Sequence, residues 1–316
     1  DRIVKLAREI GTTKPVFVAQ GWSVQRQANG EQASRAIAML QILTGNIGLP
    51  GTLCGEEPGN YGYPIERLPL PPNKVKAKIP CFLWTDAITR GKEMTALADG
   101  IQGVDKLPQP IKFIWNYSSN TLINQHSDTR QTHKVLQDDS LCEFIVVIEN
   151  HMTPSARYAD ILLPDITNYE GSDIIQNGYA VGEMGGPIFL SPAIQPMFEC
   201  KSAWDMCTLL ARHMGVEDKF TEGKSFEQWL QEGYDKMRQK DADLPDLETA
   251  RKMGMIKRKA PEGTGIAMAK FRADPKANPL KTPSGKIEIY SESLAQIAAT
   301  WQLPEGDVIT PLPQYV

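Results

Sequence analysis

Residues 144–164 read FIVVIENHMTPSARYADILLP, and the architecture is inferred from them first. Phe144, Ile145, Val146, Val147 and Ile148 form an unbroken apolar run. Successive side chains of a strand point to opposite faces, so such a run predicts a strand buried on both sides, as in a covered parallel sheet. Glu149 closes the run. Asn150 to Tyr158 is a polar connection, and Ala159-Asp160-Ile161-Leu162-Leu163-Pro164 predicts another short strand.

The same rhythm extends in both directions. Upstream, Ile111 to Trp115 predicts a strand, Ser118 to His126 a loop, and Thr129 to Leu136 a helix. Residues 1–10 predict a helix on Ile3, Leu6, Ala7 and Ile10, broken by Gly11 to Pro15; Val16 to Ala19 predicts a buried strand. Gly21 to Gly30 is a glycine-bounded loop. Glu31 to Leu43 predicts a helix, stopped by Gly45 and Gly48-Leu49-Pro50-Gly51. Residues 52–82, densest in proline from Pro69 to Pro72, predict an irregular crossing segment and a domain boundary. Downstream, helices are expected at Trp204–Met214 and Phe226–Met237, and a polar surface excursion over 238–282. Thr282-Pro283-Ser284-Gly285 predicts a turn into a strand at Lys286–Tyr290. Strands alternating with helices predict an α/β fold of doubly wound, mostly parallel, Rossmann-like sheets.

Composition narrows the function classes. With 316 residues, 41% hydrophobic and 23% charged, the chain is long and apolar enough to bury a core. A net charge of -4 argues against a nucleic-acid binder that neutralises phosphates, and no nucleic-acid partner is expected. No stretch approaches the roughly 20 apolar residues of a membrane span. The chain opens at Asp1 inside a helical pattern and closes at Pro311–Val316 without a capping element, so both ends read as cut from something longer. The five cysteines, at 54, 81, 142, 200 and 207, have no CxxC spacing and read as buried or free thiols. No metal ligand is assigned within the chain, and the catalytic residue stays unknown.

Open α/β sheets bind ligands at the carboxyl ends of their strands, which singles out three loops. Between Gly21 and Gly30 lie Trp22, Ser23 and Arg26 with three amides, a mixture suited to a heteroaromatic ligand bearing phosphate, or to a solvated loop whose Trp covers the core. The second loop carries Ser118, Ser119, Asn120, Asn124 and His126; these groups can meet phosphate or sugar, or make plain turns. Ile148-Glu149 ends the most apolar strand. Its carboxylate is suited to a ribose diol or to the N1/N2 edge of guanine, or is merely a solvated strand end. Asp160 and Asp165 flank the next strand and read as turn residues. The dinucleotide fingerprint GxGxxG is absent, which weakens a nicotinamide reading, and no GxSxG elbow is present.

Taken together, Gly21-Trp22-Ser23-x-Gln25-Arg26, Gly30-Glu31-Gln32 and Leu43-Thr44-Gly45-Asn46-Ile47-Gly48-x-Pro50-Gly51 resemble the molybdopterin oxidoreductases of the dimethyl sulfoxide reductase family. Glu149, Thr153, Ala159 to Pro164 and Glu170-Gly171 resemble the family's second signature, and Thr282 to Glu288 its segment before a C-terminal barrel. Ala203 departs from it, since an acidic residue often precedes the tryptophan there.

The resemblance implies a bis(molybdopterin guanine dinucleotide) molybdenum cofactor, a 4Fe-4S cluster in an upstream part, and reduction of S-oxides or N-oxides by oxygen-atom transfer in anaerobic respiration. It implies that Trp22, Ser23 and Arg26 touch cofactor or active-site funnel, that Asn120, Asn124 and His126 line pyrophosphate or guanosine, and that Ile148 and Glu149 hold guanine. It also implies an iron–sulfur electron-transfer partner subunit, a membrane-anchor subunit, and a place at the periplasmic face of the bacterial inner membrane. The expected division is 1–55 as the end of one α/β cofactor domain, 56–300 as a second that binds the guanine dinucleotide, and 301–316 as a linker toward the barrel. Such a piece is expected to be a fragment of a larger multidomain molybdoenzyme, inactive alone. Two rival readings are a catalytically silent subunit of the same family and a nicotinamide-dependent dehydrogenase.

Overall fold

The computed structural model describes residues 1–54, 61–125, 128–176, 182–261 and 266–316. Its first elements are α1 (Arg2–Thr12), β1 (Phe17–Val18), α2 (Gly30–Leu43) and β2 (Leu53–Cys54). Next come α3 (Trp84–Thr89), α4 (Ala96–Asp99), β3 (Phe113–Tyr117), α5 (Thr121–Asn124), α6 (Thr129–Leu136), β4 (Phe144–Glu149) and β5 (Ile161–Pro164). Then follow β6 (Asp173–Gln176), β7 (Met184–Gly185), β8 (Pro187–Leu190), α7 (Ala203–His213), α8 (Glu217–Thr221) and α9 (Phe226–Lys240). Last are α10 (Leu247–Met253), β9 (Arg258–Lys259), α11 (Ala269–Ala273) and α12 (Glu292–Thr300). Contacts divide this chain into two units: residues 1–61, 178–185 and 258–316 in one, 62–177 and 186–257 in the other.

The second unit is organised by the apolar run. β3, β4 and β5 form a parallel sheet in that order, with Trp115 opposite Val146 and Val146 opposite Ile161. Ile145, Val146, Val147 and Ile148 are all buried, which explains why the run does not alternate. Ile145 and Val147 pack with Ile88, Leu122, Val135, Leu136, Cys142 and Ala156. A neighbouring cluster holds Ala87, Met94, Ile101 and Leu107. Side chains cap the longer helices: Asp128 accepts from the Gln131 N–H, Ser202 from Asp205, and Ser225 forms a reciprocal box with Gln228 on α9. Strands β6 and β8 pair antiparallel. The architecture is therefore mixed α/β around a parallel three-stranded sheet.

The first unit is held largely by polar contacts. Among its described residues Ile47 is the buried apolar side chain. β1 and β2 pair in parallel, two residues each. The fully buried Gln41 donates through Nε2 to the Val16 carbonyl (2.8 Å), and the buried Asn46 accepts the Val16 N–H (3.2 Å), so α2 and its stop clamp the start of β1. Arg272 of α11 donates to the carbonyls of Gly45 (3.0 Å) and Ile47 (2.8 Å). Gly48 has φ 69°, and a Cβ there would stand 2.8 Å from Arg272 Cβ and 2.9 Å from the Met268 carbonyl oxygen. The glycine-rich stop of α2 is thus a docking surface for α11.

Three expectations are corrected. Val16–Ala19 is not a buried strand: β1 covers Phe17–Val18, with the Phe17 side chain 53% exposed. Lys286–Tyr290 is not a strand: the Lys286 carbonyl accepts the Thr282 hydroxyl (2.6 Å) and Glu288 accepts the Ser284 N–H (2.8 Å), so the segment folds back on its own turn. Nor is 238–282 wholly a surface excursion, because α10 lies in it and Leu244, Leu247, Ala250 and Ile256 are buried. Among the described residues no helix is long and apolar enough to cross a membrane.

Candidate functional site

The carboxyl ends of β3, β4 and β5 lie side by side, and a cavity of about 940 Å³ opens there. Its wall includes Tyr117 at the end of β3, Ser118 beside it, Asn150 after β4 and Asp165 after β5. Trp204 and Cys207 of α7 contribute to the wall as well. Ser118 sits at φ 46°, a left-handed conformation that costs energy for a non-glycine residue, and its N–H donates to the Ile148 carbonyl (2.9 Å). That bond extends the sheet ladder by one residue and turns the chain into the loop.

The electrostatics of this edge are acidic. Asp165 is 9% exposed; burial pushes its carboxyl above the usual range, opposed by the Ile166 N–H and the Tyr117 hydroxyl, while the Glu149 charge raises it further. Burial also raises the Tyr117 hydroxyl, and Asp165 adds to the shift. Asp173, also in the wall, is raised by burial. Glu170 behaves oppositely: the backbone N–H groups of Thr167 and Met197, both at 2.8 Å, and the Thr167 hydroxyl hold it below the usual range. Carboxyl groups crowd the edge, so it accepts hydrogen bonds from a ligand rich in N–H groups and repels a phosphate.

The sequence-selected residues fall as follows. Ile148 is buried and its carbonyl is engaged by Ser118. Glu149 is half-buried; its Oε1 accepts the Asn150 N–H (2.9 Å) and its carbonyl accepts the Asp165 N–H (3.2 Å). Asn120 spends its side-chain oxygen inside the unit, accepting both the N–H (3.0 Å) and the hydroxyl (2.9 Å) of Ser155. Asn124 is exposed at the end of α5. His126 lies outside the described residues. Trp22, Ser23 and Arg26 belong to the other unit, where they share one exposed turn: Arg26 N–H donates to the Ser23 carbonyl (3.0 Å), and its guanidinium stands 5.5 Å from the Trp22 ring centroid.

The cavity wall is therefore made by neighbours of the selected residues. Tyr117, Asn150 and Asp165 were passed over. Asp160 does serve a local role, accepting the Ile145 N–H (2.7 Å). Asp165 does more than close a turn, and the signal for it was its place directly after β5, as Glu149 stands at the end of β4.

The molybdopterin oxidoreductase family profile matches residues 5–213. The chain is 55% identical over its whole length to the dimethyl sulfoxide reductase DmsA of Escherichia coli strain K12. It is 28% identical over 96% of its length to a dimethyl sulfoxide/trimethylamine N-oxide reductase of Rhodobacter capsulatus. It spans 39% of the length of each of these relatives. Acetylene hydratase from Pelobacter acetylenicus shares the fold, with a TM-score of 0.59 and 19% identity over 99% of this chain and 42% of that one. With its matched profile covering most of its length, the chain belongs to the molybdopterin oxidoreductase family.

Proposed function

We propose that the chain is the cofactor-cradling part of a molybdenum-dependent oxidoreductase that reduces S-oxides or N-oxides by oxygen-atom transfer in anaerobic respiration. The observation that carries this reading is similarity sustained over the whole chain to proteins named for those substrates. A molybdenum–molybdopterin cofactor follows from the family. Its finer form, the bis(guanine dinucleotide), is part of the proposal, as is a 4Fe-4S cluster upstream.

The residues present fit such a group. Guanine offers N1–H and an exocyclic amine on one edge, and the carboxyl edge of β3, β4 and β5 offers Glu149 at the end of β4, next to a cavity of about 940 Å³ whose wall includes Asn150 and Asp165. When bound, the cofactor supplies the two-electron oxygen-atom transfer. The chain's own residues bind and orient it. Glu149 accepts from the guanine edge, while Ile148 supplies backbone beside it. Asn120, Asn124 and His126 are assigned to sugar and phosphate by the family resemblance alone, His126 lying outside the described residues. Trp22, Ser23 and Arg26 face cofactor or funnel, where the guanidinium offers five donors in a fixed fork.

In this reading residues 1–55 end one cofactor domain, 56–300 supply the guanine dinucleotide domain with helices on both sheet faces, and 301–316 lead toward a barrel. The whole protein works with an iron–sulfur electron-transfer subunit and a membrane anchor at the periplasmic face of the inner membrane. The test is metal and nucleotide analysis of the intact protein, followed by turnover of sulfoxides and amine N-oxides with a reduced viologen dye. Molybdenum with oxide reduction is expected. Oxide reduction without molybdenum, or molybdenum with no activity on any oxide, refutes the proposal.

A further inference from the structure

We infer that residues 306–311 are a strap that positions the Gly21–Gly30 loop for the proposed reaction, with Asn29 as the positioning residue and Arg35 as its anchor. This rests on the reading above only in assigning that loop to the reaction.

The strap is bound by one line of polar side chains on the first half of α2. Asn29 donates to the Gly306 carbonyl (3.2 Å) and accepts the Val308 N–H (2.8 Å). Gln32, three residues on and 2% exposed, donates to the Val308 carbonyl (3.4 Å) and accepts the Thr310 hydroxyl (3.1 Å). Arg35, three further on, donates to the carbonyls of Thr310 (2.8 Å) and Pro311 (2.7 Å). Each three-residue step rises about 4.5 Å along a helix and meets about two residues of extended chain, so helix and strap run together obliquely. A buried amide needs its partners, and the strap supplies them for Gln32.

The connection to the loop is direct. Asn29 is the last loop residue before α2 and stands at φ 56°, a conformation its strap bonds hold in place. Gly30 follows, pressed so closely on the returning loop that a Cβ would stand 2.7 Å from the Val24 carbonyl oxygen and 2.8 Å from the Gln25 carbonyl carbon. Its N–H donates to the Gln27 carbonyl (3.0 Å). Moving Asn29 therefore moves the backbone between Trp22 and Arg26.

The test compares Asn29→Gly, Arg35→Ala and Arg35→Lys in the intact enzyme by amide hydrogen exchange and steady-state kinetics. Asn29→Gly removes the side-chain bonds yet keeps the left-handed backbone accessible. Arg35→Ala loosens the strap from outside the loop. Both should speed exchange of amides 22–30 as well as 307–310, and lower kcat about three- to tenfold, the order expected when a positioned group drifts by a fraction of an ångström. Molybdenum content should stay unchanged, and Arg35→Lys should recover much of the loss. Faster exchange at 307–310 with an unchanged loop overturns the proposal. Loosening of both segments with unchanged kcat and KM supports the strap and overturns instead the assignment of the loop to the reaction.

Discussion

Asp165 and Glu170 stand five positions apart in one connection, and their carboxyls are shifted in opposite senses, Asp165 upward by burial and Glu170 downward by hydrogen bonds from Thr167 and Met197. Asp165 is raised because its buried carboxyl loses more hydration than the Ile166 N–H and Tyr117 hydroxyl return, with Glu149 adding repulsion. A raised folded-state value means that its contribution favours the folded state below the unfolded value near 3.8 and is lost as pH rises through the raised value. Asp165→Asn should therefore stabilise the unliganded protein at pH 7, on the order of 1 kcal/mol or less and roughly 2 °C in Tm at this size, and the gain should vanish at pH 3. A Tm difference that is the same at both pH values contradicts the burial argument. Glu170 is depressed by three donors, so its contribution is present above the unfolded value of 4.5 and lost as pH falls through the lowered one. Glu170→Gln should lower Tm at pH 7, with the gap closing in acid; scanning calorimetry across pH separates the two. The place of Ile148 and Glu149 at the carboxyl end of β4 was legible in the sequence because an unbroken apolar run announces where it stops. Asp165 was not, because its burial depends on Tyr117 of a different strand, and a residue after Leu-Pro reads equally well as a turn.

At the scale of elements, what carried over from sequence was whatever the hydrophobic period fixes locally. The run at 144–148 became β4, with Ile145 to Ile148 buried and Phe144 exposed at its start; α7 lies within one residue of the helix expected at 204–214, and α9 extends the one expected at 226–237. Lys286-Ile287-Glu288-Ile289-Tyr290 alternates as a strand should, yet alternation does not supply a partner, and its bonds return to its own turn. Leu247 and Ala250 anchor α10 from within a charged segment, too few apolar residues to stand out by period. The glycine-rich stop of α2 was readable as a motif, but its use as a seat for α11 required the fold. Gly48→Ala tests that use. It places a Cβ at φ 69° against Arg272 and the Met268 carbonyl, and should cost about 1–3 kcal/mol, read as a lower denaturant midpoint. An unchanged midpoint means that α11 does not depend on this glycine.

At the scale of the whole molecule, the two units are stabilised differently. The second has two apolar clusters under a parallel sheet, whereas the first relies on Gln41, Asn46, Arg272 and the strap. The chain spans 39% of its relative DmsA, so tests of function belong in the intact protein. The central claim is that the carboxyl edge of β3, β4 and β5 holds the guanine end of the cofactor, with Glu149 as an acceptor. A charge-assisted hydrogen bond of this kind contributes on the order of 1.5–3 kcal/mol, roughly ten- to a hundredfold in affinity. The most direct measurement is guanine nucleotide released per protein at stepped temperatures, with the intact parent compared against Glu149→Gln. The account predicts guanine nucleotide from the parent, accompanying molybdenum, and release from the variant at lower temperature. Superimposable release curves, or a parent that yields no guanine nucleotide, would contradict it.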